Sequence, residues 1–276
     1  MNKIKIRDDC IVGDKKLTFI CGPCVIESEE HTLFCAEELK KLFSKFDINF
    51  IFKASFDKAN RSSIDSFRGP GLEKGLKILQ KVKDEFDLLV TSDIHIPSQA
   101  NLVKDVLDII QIPAFLSRQT DLLVAAGETK KTINVKKGQF MSPYDMENVV
   151  EKIKSTGNEN IILTDRGTFF GYNNLVSDFR SIAIMQTFNH PVCYDASHSI
   201  QLPSGNKKTS SGQKEFIPIL TKAAIAVGTN VIFIEAHPEP KKAKSDSATV
   251  MDFETLEKLL VDVEKIHLAL NEPSLC

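Results

Sequence analysis

Eight short runs of β-branched and other apolar residues recur along the chain, roughly 20 to 40 residues apart. Segments with helical periodicity separate them, and some begin with a helix start signal such as Ser28-Glu29-Glu30. Strands that alternate with helices in this way pair in parallel. The predicted strands are residues 17–21, 48–53, 88–94, 106–112, 132–136, 160–166, 191–196 and 231–236.

Eight strand–helix units favour a closed (β/α)8 barrel, the TIM barrel of the α/β class, over an open doubly wound sheet. An open dinucleotide-binding sheet is expected to carry a Gly-rich fingerprint after its first strand, and Gly22-Pro23-Cys24 lacks that form. Residues 1–16 alternate between apolar and polar, which predicts a short β-hairpin at the bottom of the barrel. Since 276 residues suit one such domain, we expect a hairpin extension at 1–16 and a barrel at 17–276.

The formal net charge of the chain is −2. Nucleic acids and anionic membranes select basic surfaces, so we expect neither as a partner. The charged N-terminus lacks the apolar core of a secretory signal, and no stretch approaches about 18 uninterrupted apolar residues. We expect a cytoplasmic protein whose six cysteines (10, 21, 24, 35, 193 and 276) are core residues, ligands or redox groups.

The second predicted strand runs directly into a segment rich in hydrogen-bond donors. Lysines supply point charges, arginine supplies a planar fork that matches phosphate or carboxylate oxygens, and short polar side chains add further donors. The alternative is an ordinary solvated loop, but strand ends are where α/β folds place their sites. We therefore expect anion binding by Lys53, Ser55, Lys58, Asn60, Arg61 and Ser62.

Polar residues also collect at the carboxyl ends of the other predicted strands. Burying so many polar side chains costs free energy, so stability alone does not explain their positions. Since active sites of TIM barrels lie at this end, these residues are candidates for the site. They are Cys24, Asp93, His95, Gln111, Lys136, Arg166, His198 and Glu235.

The first, seventh and eighth strands are neighbours in a closed barrel. Cys24, His198 and Glu235 therefore share one sector of the rim, and Asp246 is within reach on the following loop. Mixed sulfur, nitrogen and oxygen ligands suit Zn²⁺, Fe²⁺, Mn²⁺ or Co²⁺ without selecting one. On spacing alone, the alternatives are a core cysteine, a hydrogen-bonded histidine and carboxylates in ion pairs.

Cys21-Gly22-Pro23-Cys24 also has the C-x-x-C form of thioredoxin-like redox sites. A redox dithiol of that type opens a helix, which stabilises its thiolate. Here Pro23 and the residues up to Ser28 separate Cys24 from the nearest expected helix start. A redox function is therefore the weaker interpretation.

Five cations are expected to face the mouth of the barrel: Lys53, Lys58, Arg61, Lys136 and Arg166. A phosphate ester carries about −1.5 to −2 charges at neutral pH, so these cations and a metal balance two phosphorylated substrates, one also bearing a carboxylate. Lys137 is interpreted instead as solvated, because neighbouring residues of a strand point in opposite directions. Two long loops, 201–214 and 236–249, are candidates for lids.

The chain contains Gly-Pro-Cys-Val-Ile-Glu-Ser at 22–28 and the segments 53–63, 67–72, 111–116, 118–121, 134–140 and 170–175. Together, these motifs resemble the 3-deoxy-D-manno-octulosonate 8-phosphate synthases over residues 17 to 268. Related seven-carbon synthases share the barrel but carry a Lys-Pro-Arg-Thr type of segment where this chain has Lys-Ala-Asn-Arg-Ser at 58–62. The resemblance implies condensation of phosphoenolpyruvate with D-arabinose 5-phosphate for lipopolysaccharide synthesis.

The resemblance also assigns residues. Phosphoenolpyruvate would be held by Lys53, Ser55, Lys58, Gln111, Lys136, Arg166 and His198, and the sugar phosphate by Asn60, Arg61 and Ser62. Asp93 and His95 are further expected substrate contacts. The expected catalytic residues are Lys58, Lys136, His198 and Asp246.

The same family divides into metal-dependent members with cysteine in the Gly-Pro-Cys position and metal-independent members with asparagine there. Cys24 implies the metal-dependent class, with one divalent transition ion held by Cys24, His198, Glu235 and Asp246. The family is typically tetrameric, and Arg118 would reach the site of a neighbouring subunit. The remaining alternatives are a seven-carbon synthase that uses erythrose 4-phosphate and a barrel that binds a phosphometabolite without turnover.

Overall fold

The computed structural model describes residues 1–206 and 209–271. Fourteen strands are present in these residues: β1 (Ile4–Arg7), β2 (Cys10–Val12), β3 (Leu17–Gly22), β4 (Ile48–Lys53), β5 (Leu89–Asp93), β6 (Ile109–Ile112), β7 (Thr132–Lys136), β8 (Ile161–Asp165), β9 (Thr168–Phe169), β10 (Leu175–Val176), β11 (Val192–Asp195), β12 (Gln201–Asn206), β13 (Thr209–Gly212) and β14 (Val231–Glu235).

Eight of these strands close into a parallel barrel. Its order is β3-β4-β5-β6-β7-β8-β11-β14, and β14 pairs with β3 to complete the ring. Every predicted barrel strand overlaps an observed one, although the fourth begins at Ile109 and not at residue 106. The predicted (β/α)8 TIM barrel is confirmed.

One helix follows each barrel strand within the described chain. Ser28 caps the first helix, since its Oγ accepts a hydrogen bond from the backbone N of His31 (3.1 Å), and Glu29 and Glu30 lie in the first turn, where the helix dipole favours negative charge. The helices are α1 (Glu29–Phe43), α2 (Leu72–Phe86), α3 (Pro97–Val103), α4 (Thr120–Glu128), α5 (Met146–Lys154), α6 (Arg180–Gln186), α7 (Ile217–Ala226) and α8 (Phe253–Asn271). Short 3-10 helices occupy Ala114–Leu116, Pro143–Asp145, Lys214–Phe216 and Pro240–Lys242.

The core has two apolar layers. The larger one fills the space between the barrel strands and the helices. The smaller one lies inside the barrel, where Ile4, Cys10 and Val12 of the β1–β2 hairpin belong to one buried cluster with strand residues such as Ile51 and Ile162. The predicted N-terminal hairpin is therefore present and closes the end of the barrel at which the strands begin.

Gly22 allows the first two barrel strands to approach closely at the other end. A Cβ atom placed on this residue would lie 2.1 Å from the carbonyl oxygen of Lys53, a distance that no side chain tolerates. The glycine of the Gly-Pro-Cys segment thus brings Cys24 and Lys53 next to one another.

The structure departs from the sequence-based expectations in two places. Residues 201–214, expected to be a loop, contain the antiparallel β12–β13 hairpin, and positions 207–208 of that segment lie outside the described residues. Lys137 is not solvated but completely buried, with Nζ 3.2 Å from Thr168 Oγ1 and 3.6 Å from Asp165 Oδ2. Its surroundings come from the segments after β7 and β8, because Nζ also contacts the backbone oxygens of Met141 (3.5 Å) and Gly167 (3.4 Å).

No helix of the described residues is both long enough and apolar enough to cross a bilayer. The division into an extension at 1–16 and a barrel domain at 17–276 stays a prediction. The last residues of that range, 272–276, which include Cys276, lie outside the described part of the chain.

Candidate active site

A cavity of about 690 Å³ opens at the carboxyl ends of the barrel strands. Most of the side chains predicted for the site line it, although they come from loops that are far apart in sequence. These are Lys53, Lys58, Asn60, Arg61, Ser62, Asp93, His95, Gln111, Lys136, Arg166, His198, Glu235 and Asp246.

Three predicted residues do not line the cavity. Ser55 lies beneath it and donates a hydrogen bond to Asp93 (2.6 Å). Cys24 is buried beside Asp246, with Sγ 3.1 Å from Oδ2. Arg118 is exposed on the loop after β6, outside the cavity of its own chain.

The four predicted metal ligands come together on one side of the cavity. Donor atoms of Cys24, Glu235 and Asp246 all lie within 4.8 Å of one another. Nε2 of His198 lies 3.6 Å from Glu235 Oε1 and 4.0 Å from Asp246 Oδ2. The structure thus contains a sulfur, nitrogen and oxygen donor group of the kind that divalent transition ions prefer.

Two further features fit this group to a cation. Glu235 Oε2 is buried and has no hydrogen-bond partner among the described residues, which is a costly state for a carboxylate oxygen. Nδ1 of His198 contacts Asp195 Oδ2 (2.8 Å), so a proton on Nδ1 leaves the lone pair of Nε2 directed toward Glu235. Carboxylates commonly orient metal-binding histidines in this way.

Burial and the neighbouring carboxylate of Glu235 raise the pKa of the Cys24 thiol well above its usual value. The thiol is therefore protonated at neutral pH when no cation is bound, and it donates to Asp246. A bound cation would deprotonate it, since the thiolate is the form that coordinates metals.

Two buried ion pairs hold lysines in the floor of the cavity. Lys53 Nζ lies 2.7 Å from Glu235 Oε1, and Lys136 Nζ lies 2.7 Å from Asp195 Oδ2. Lys136 also lies 3.5 Å from the centre of the Phe233 ring, a cation–π contact. Because each pair fixes a cation below the opening, both ammonium groups are positioned before any anion arrives.

Lys58 is the third lysine of the cavity. Burial opposes its charge, but the nearby carboxylates of Glu235 and Asp93 favour it, and its pKa lies well above the usual value. Its Nζ lies 3.9 Å from Glu235 Oε1. Lys58 is therefore a cation at neutral pH, which suits a contact with phosphate or carboxylate.

A chain of hydrogen bonds crosses the cavity floor from β5 to β8. Asp93 accepts from Ser55 and from Gln111, Gln111 Oε1 accepts from Asn134 (3.1 Å), and Asn134 accepts from Thr164 (2.6 Å). Burial favours the neutral form of Asp93, but Lys58 and Lys53 hold its pKa well below the usual value. The chain orients Gln111, a predicted substrate contact.

Comparison with known proteins identifies the group to which this barrel belongs. The family model described as the DAHP synthetase I family matches residues 2–271. The chain belongs to that family. It is 55% identical over 267 residues to the 2-dehydro-3-deoxyphosphooctonate aldolase of Protochlamydia amoebophila, covering 97% of each chain.

Further family members with the same name are also similar over nearly their full length. The Geobacter sulfurreducens protein is 55% identical over 264 residues, 96% of this chain and 97% of its own. The Cyanothece protein is 49% identical over 271 residues, 98% of this chain and 99% of its own. The predicted resemblance to 3-deoxy-D-manno-octulosonate 8-phosphate synthases is confirmed, because both names denote the enzyme of the same eight-carbon sugar acid phosphate.

Two residues of this family member that the sequence did not single out connect the predicted groups. Ser245 Oγ accepts a hydrogen bond from Arg61 Nη1 (2.7 Å), and Gln201 Oε1 accepts one from Arg166 Nη2 (2.7 Å). Both residues line the cavity and are buried. Neutral polar residues on loops carry no sequence signal of their own, so neither could be recognised in advance.

A second group of donor atoms, Glu27, His31 and His237, lies within 4.8 Å of one another next to the family's Gly-Pro-Cys segment. His237 Nδ1 accepts a hydrogen bond from the backbone N of Glu239 (2.9 Å), so the neutral ring carries its proton on Nε2. Nε2 is the atom that faces Glu27 Oε1, at 3.5 Å. The hydrogen bond at Nδ1 keeps the proton on Nε2, so Nε2 offers no lone pair to a metal, and we interpret this group as structural.

Cys21 and Cys24 occupy different environments in this member of the family. Cys21 belongs to the apolar layer between barrel and helices, whereas Cys24 contacts Asp246. Burial raises the pKa of both thiols. A thioredoxin-like dithiol requires a lowered thiol pKa, so the environment of these cysteines does not favour a redox function.

Proposed function

We propose that the protein is a metal-dependent 3-deoxy-D-manno-octulosonate 8-phosphate synthase. It condenses phosphoenolpyruvate with D-arabinose 5-phosphate and releases inorganic phosphate. The full-length relatives named 2-dehydro-3-deoxyphosphooctonate aldolase, at up to 55% identity, carry this assignment. The cavity supports it, because the five predicted cationic side chains and a metal-ligand group surround one space.

The reaction joins two carbon atoms and cleaves one carbon–oxygen bond. C3 of phosphoenolpyruvate attacks the aldehyde carbon of the open-chain sugar while water adds at C2. The C2–O bond to phosphate then breaks, and phosphate leaves with that oxygen. Both substrates are anions, so a site for this reaction must overcome their mutual repulsion and hold the reacting carbons together.

Phosphoenolpyruvate is assigned to the floor of the cavity. Lys53, Lys58, Lys136 and Arg166 offset the charges of its carboxylate and phosphate, and Ser55, Gln111 and His198 complete its surroundings. The pre-formed ion pairs of Lys53 and Lys136 support this, because the cations need no reorganisation when the anion binds.

The sugar phosphate is assigned to the segment after β4. Asn60, Arg61 and Ser62 line the outer part of the same cavity, above the lysines of the floor. Asp93 and His95 lie at the end of β5 and contact the substrates from the neighbouring strand. The two phosphates are thus assigned to different groups of cations, which would separate their charges.

Cys24, His198, Glu235 and Asp246 would hold one divalent transition ion such as Zn²⁺, Fe²⁺, Mn²⁺ or Co²⁺. Such an ion supplies Lewis acidity to the oxygens next to the reacting carbons. Lys58 and Lys136 stabilise negative charge as it develops, His198 is fixed through Asp195, and Asp246 orients the group from its loop. These are the assigned catalytic residues.

We further assign a homotetramer in the cytoplasm that serves lipopolysaccharide synthesis. The exposed position of Arg118 suits a residue that reaches a neighbouring subunit's cavity. Exposed aromatic side chains on the loops after β6, β7 and β8, including Phe115, Phe140 and Phe170, offer a surface for such contacts. The free thiols of the described cysteines agree with a reducing compartment.

Phosphate release from phosphoenolpyruvate tests the assignment directly. The purified protein, loaded with Co²⁺ or Mn²⁺, is expected to release phosphate with D-arabinose 5-phosphate and much less with erythrose 4-phosphate. Preference for erythrose 4-phosphate would instead assign a seven-carbon synthase. If the protein bound these ligands but released no phosphate with any of the metals, it would instead be a barrel that binds a phosphometabolite without turnover.

Two lysine variants, one in the cavity and one on the surface, distinguish an effect on the site from a general effect on the protein. Lys136→Met is expected to lower kcat/KM at least about 100-fold, since it removes a pre-positioned charge from the cavity. Lys77→Met, on the exposed face of α2, is the control and is expected to match the wild type. Equal activity of both variants would contradict the assigned position of phosphoenolpyruvate.

A further inference from the structure

Asp246 is linked on each side to an arginine through a neutral side chain. Gln201 Nε2 donates to Asp246 Oδ1 (3.2 Å), and its Oε1 accepts from Arg166. Ser245 Oγ donates to Asp246 Oδ2 (3.4 Å) and accepts from Arg61. A continuous path therefore runs from Arg166 through Gln201, Asp246 and Ser245 to Arg61.

The path begins and ends at the two arginines assigned to different phosphates. Each guanidinium has a buried Nε without a hydrogen-bond partner in the described part of the chain. An unpaired buried donor is costly, and a bound anion would satisfy it. Both ends of the path are thus prepared to receive an anion.

An arriving phosphate competes with the neutral side chain for the guanidinium. A charged acceptor forms a hydrogen bond roughly twice as strong as a neutral one. The phosphate therefore draws the guanidinium away from Gln201 or Ser245, and the bond from that residue to Asp246 must adjust. The carboxylate of Asp246 can respond because it also contacts Cys24 and faces His198.

The backbone makes Asp246 sensitive to such a change. It has a φ of 50°, in the left-handed region that residues other than glycine rarely adopt. The loop around it also packs closely against the base of the β12–β13 hairpin, since a Cβ on Gly212 would lie 2.2 Å from Thr249 Cγ2. Gln201 is the first residue of that hairpin, so a displacement of the hairpin would also displace the loop that carries Asp246.

We propose that Gln201 and Ser245 are positioning residues that couple the two phosphate sites to the metal-ligand group. This inference depends on the proposed function, because it takes Arg166 as the contact of phosphoenolpyruvate and Arg61 as that of the sugar phosphate. When phosphoenolpyruvate binds, Gln201 changes its hydrogen bond to Asp246. When the sugar phosphate binds, Ser245 does so. Each acts through Asp246 and touches neither reacting carbon.

The test uses the visible absorption spectrum of the Co²⁺-loaded protein, which reports the geometry of the ligands around the ion. In the wild type, phosphoenolpyruvate and D-arabinose 5-phosphate, added separately, are each expected to shift the spectrum. Gln201→Met should lose the response to phosphoenolpyruvate and keep that to the sugar phosphate. Ser245→Ala should show the opposite pattern, and Ser245→Thr, which retains the hydroxyl, should respond to both.

A general structural defect would weaken both responses together, whereas coupling predicts a crossed loss. Variants that respond to both substrates like the wild type, or that lose both responses equally, would overturn the inference. A wild type that turns over but shows no spectral shift would also overturn it. A wild type that binds Co²⁺ and neither shifts nor releases phosphate would instead refute the proposed function itself.

Discussion

Lys53 and Glu235 form an ion pair that is almost completely shielded from water. Their side chains are 1% and 0% exposed, and 2.7 Å separates the nearest atoms. Removing one partner of such a pair leaves an uncompensated buried charge. Neither partner can therefore be neutralised alone without destabilising the folded protein.

We expect Glu235→Gln to lower the free energy of unfolding of the metal-free protein by about 3–5 kcal/mol, because Lys53 loses its counter-charge. Urea unfolding in the presence of a chelator measures this change without a contribution from metal. Glu239→Gln, which breaks an exposed pair with Lys242, is the matched control and should change stability by less than about 1 kcal/mol. Equal effects of the two substitutions would show that the buried pair has no special role.

Asp93 makes a pH-dependent contribution to stability. Lys58 and Lys53 hold its pKa below the usual 3.8, against the effect of burial. A carboxyl with a lowered folded-state pKa stabilises the protein fully above its unfolded pKa, and this stabilisation is lost as the pH falls below that value. The relevant window therefore lies from about pH 4 downwards.

Asp93→Asn should accordingly flatten the loss of stability between about pH 5 and pH 2. Urea midpoints measured across this range provide the comparison, and Asp8→Asn at an exposed position should leave the wild-type slope unchanged. A variant with the same acid dependence as the wild type would contradict the assigned charge interactions of Asp93.

Cys24 occupies the position at which the resemblance predicts that metal-dependent and metal-independent synthases differ. Cys24→Asn is expected to retain partial activity that chelators do not abolish, because it reproduces the side chain of the metal-independent class. The wild type, assayed in parallel, should lose activity in chelator and regain it on reloading with metal. Complete inactivity of the variant would mean that additional residues separate the classes.

The positions of charged residues were largely predictable, and those of neutral ones were not. Lys58, Arg61 and Arg166 are recognisable because charged groups at strand ends point to a site. Gln201 and Ser245 became visible only when folding brought them beside arginines. Lys137 shows the converse error, because alternation carries no information about the segments after β7 and β8 that bury this side chain.

Strands and helices of the barrel follow from local sequence, whereas the additional β-hairpin does not. Buried barrel strands are nearly continuous apolar runs such as Ile48–Lys53, which sequence patterns detect well. The β12–β13 hairpin consists mainly of small polar residues and lacks the apolar alternation of a strand. Its pairing depends on contacts with the rest of the molecule, and these are not encoded locally.

Helix α2 contains a glycine that packing requires. A Cβ on Gly75 would lie 2.3 Å from the Cβ of Phe56, the residue that follows Ser55 after β4. Alanine would favour the helix by about 1 kcal/mol, but an overpacked core typically costs about 1–3 kcal/mol. The steric effect should prevail, because Phe56 is fully buried.

We therefore expect Gly75→Ala to lower the free energy of unfolding despite its higher helix propensity. Chemical denaturation measures the change, and Lys74→Ala on the exposed face of the same helix should lie within about 0.5 kcal/mol of the wild type. An increase in stability for Gly75→Ala would show that Phe56 moves aside without cost.

The barrel as a whole was predictable because eight similar units leave few other topologies. Its closure depends on long-range pairing between β14 and β3, which no local pattern specifies. The role of the N-terminal hairpin was anticipated from its alternation alone. The burial of Ile4, Cys10 and Val12 in the cluster inside the barrel explains why that alternation exists.

Ile4→Ala should lower the free energy of unfolding by about 2–5 kcal/mol, because Ile4 is 1% exposed inside the barrel end. Ile64→Ala is the matched control, since Ile64 is 94% exposed, and should have little effect on stability. Activity of the folded Ile4→Ala protein should stay near that of the wild type, because the cavity lies at the opposite end. Loss of activity without loss of stability would contradict this separation.

Because β1 and β2 close one end of the barrel, the cavity in the described part of the molecule opens only at the rim above Lys53 and Lys136. Newly made sugar acid and inorganic phosphate must exit by the route along which fresh reactants enter. The products must therefore leave before the next substrates can bind, and product that accumulates competes with them for the cavity.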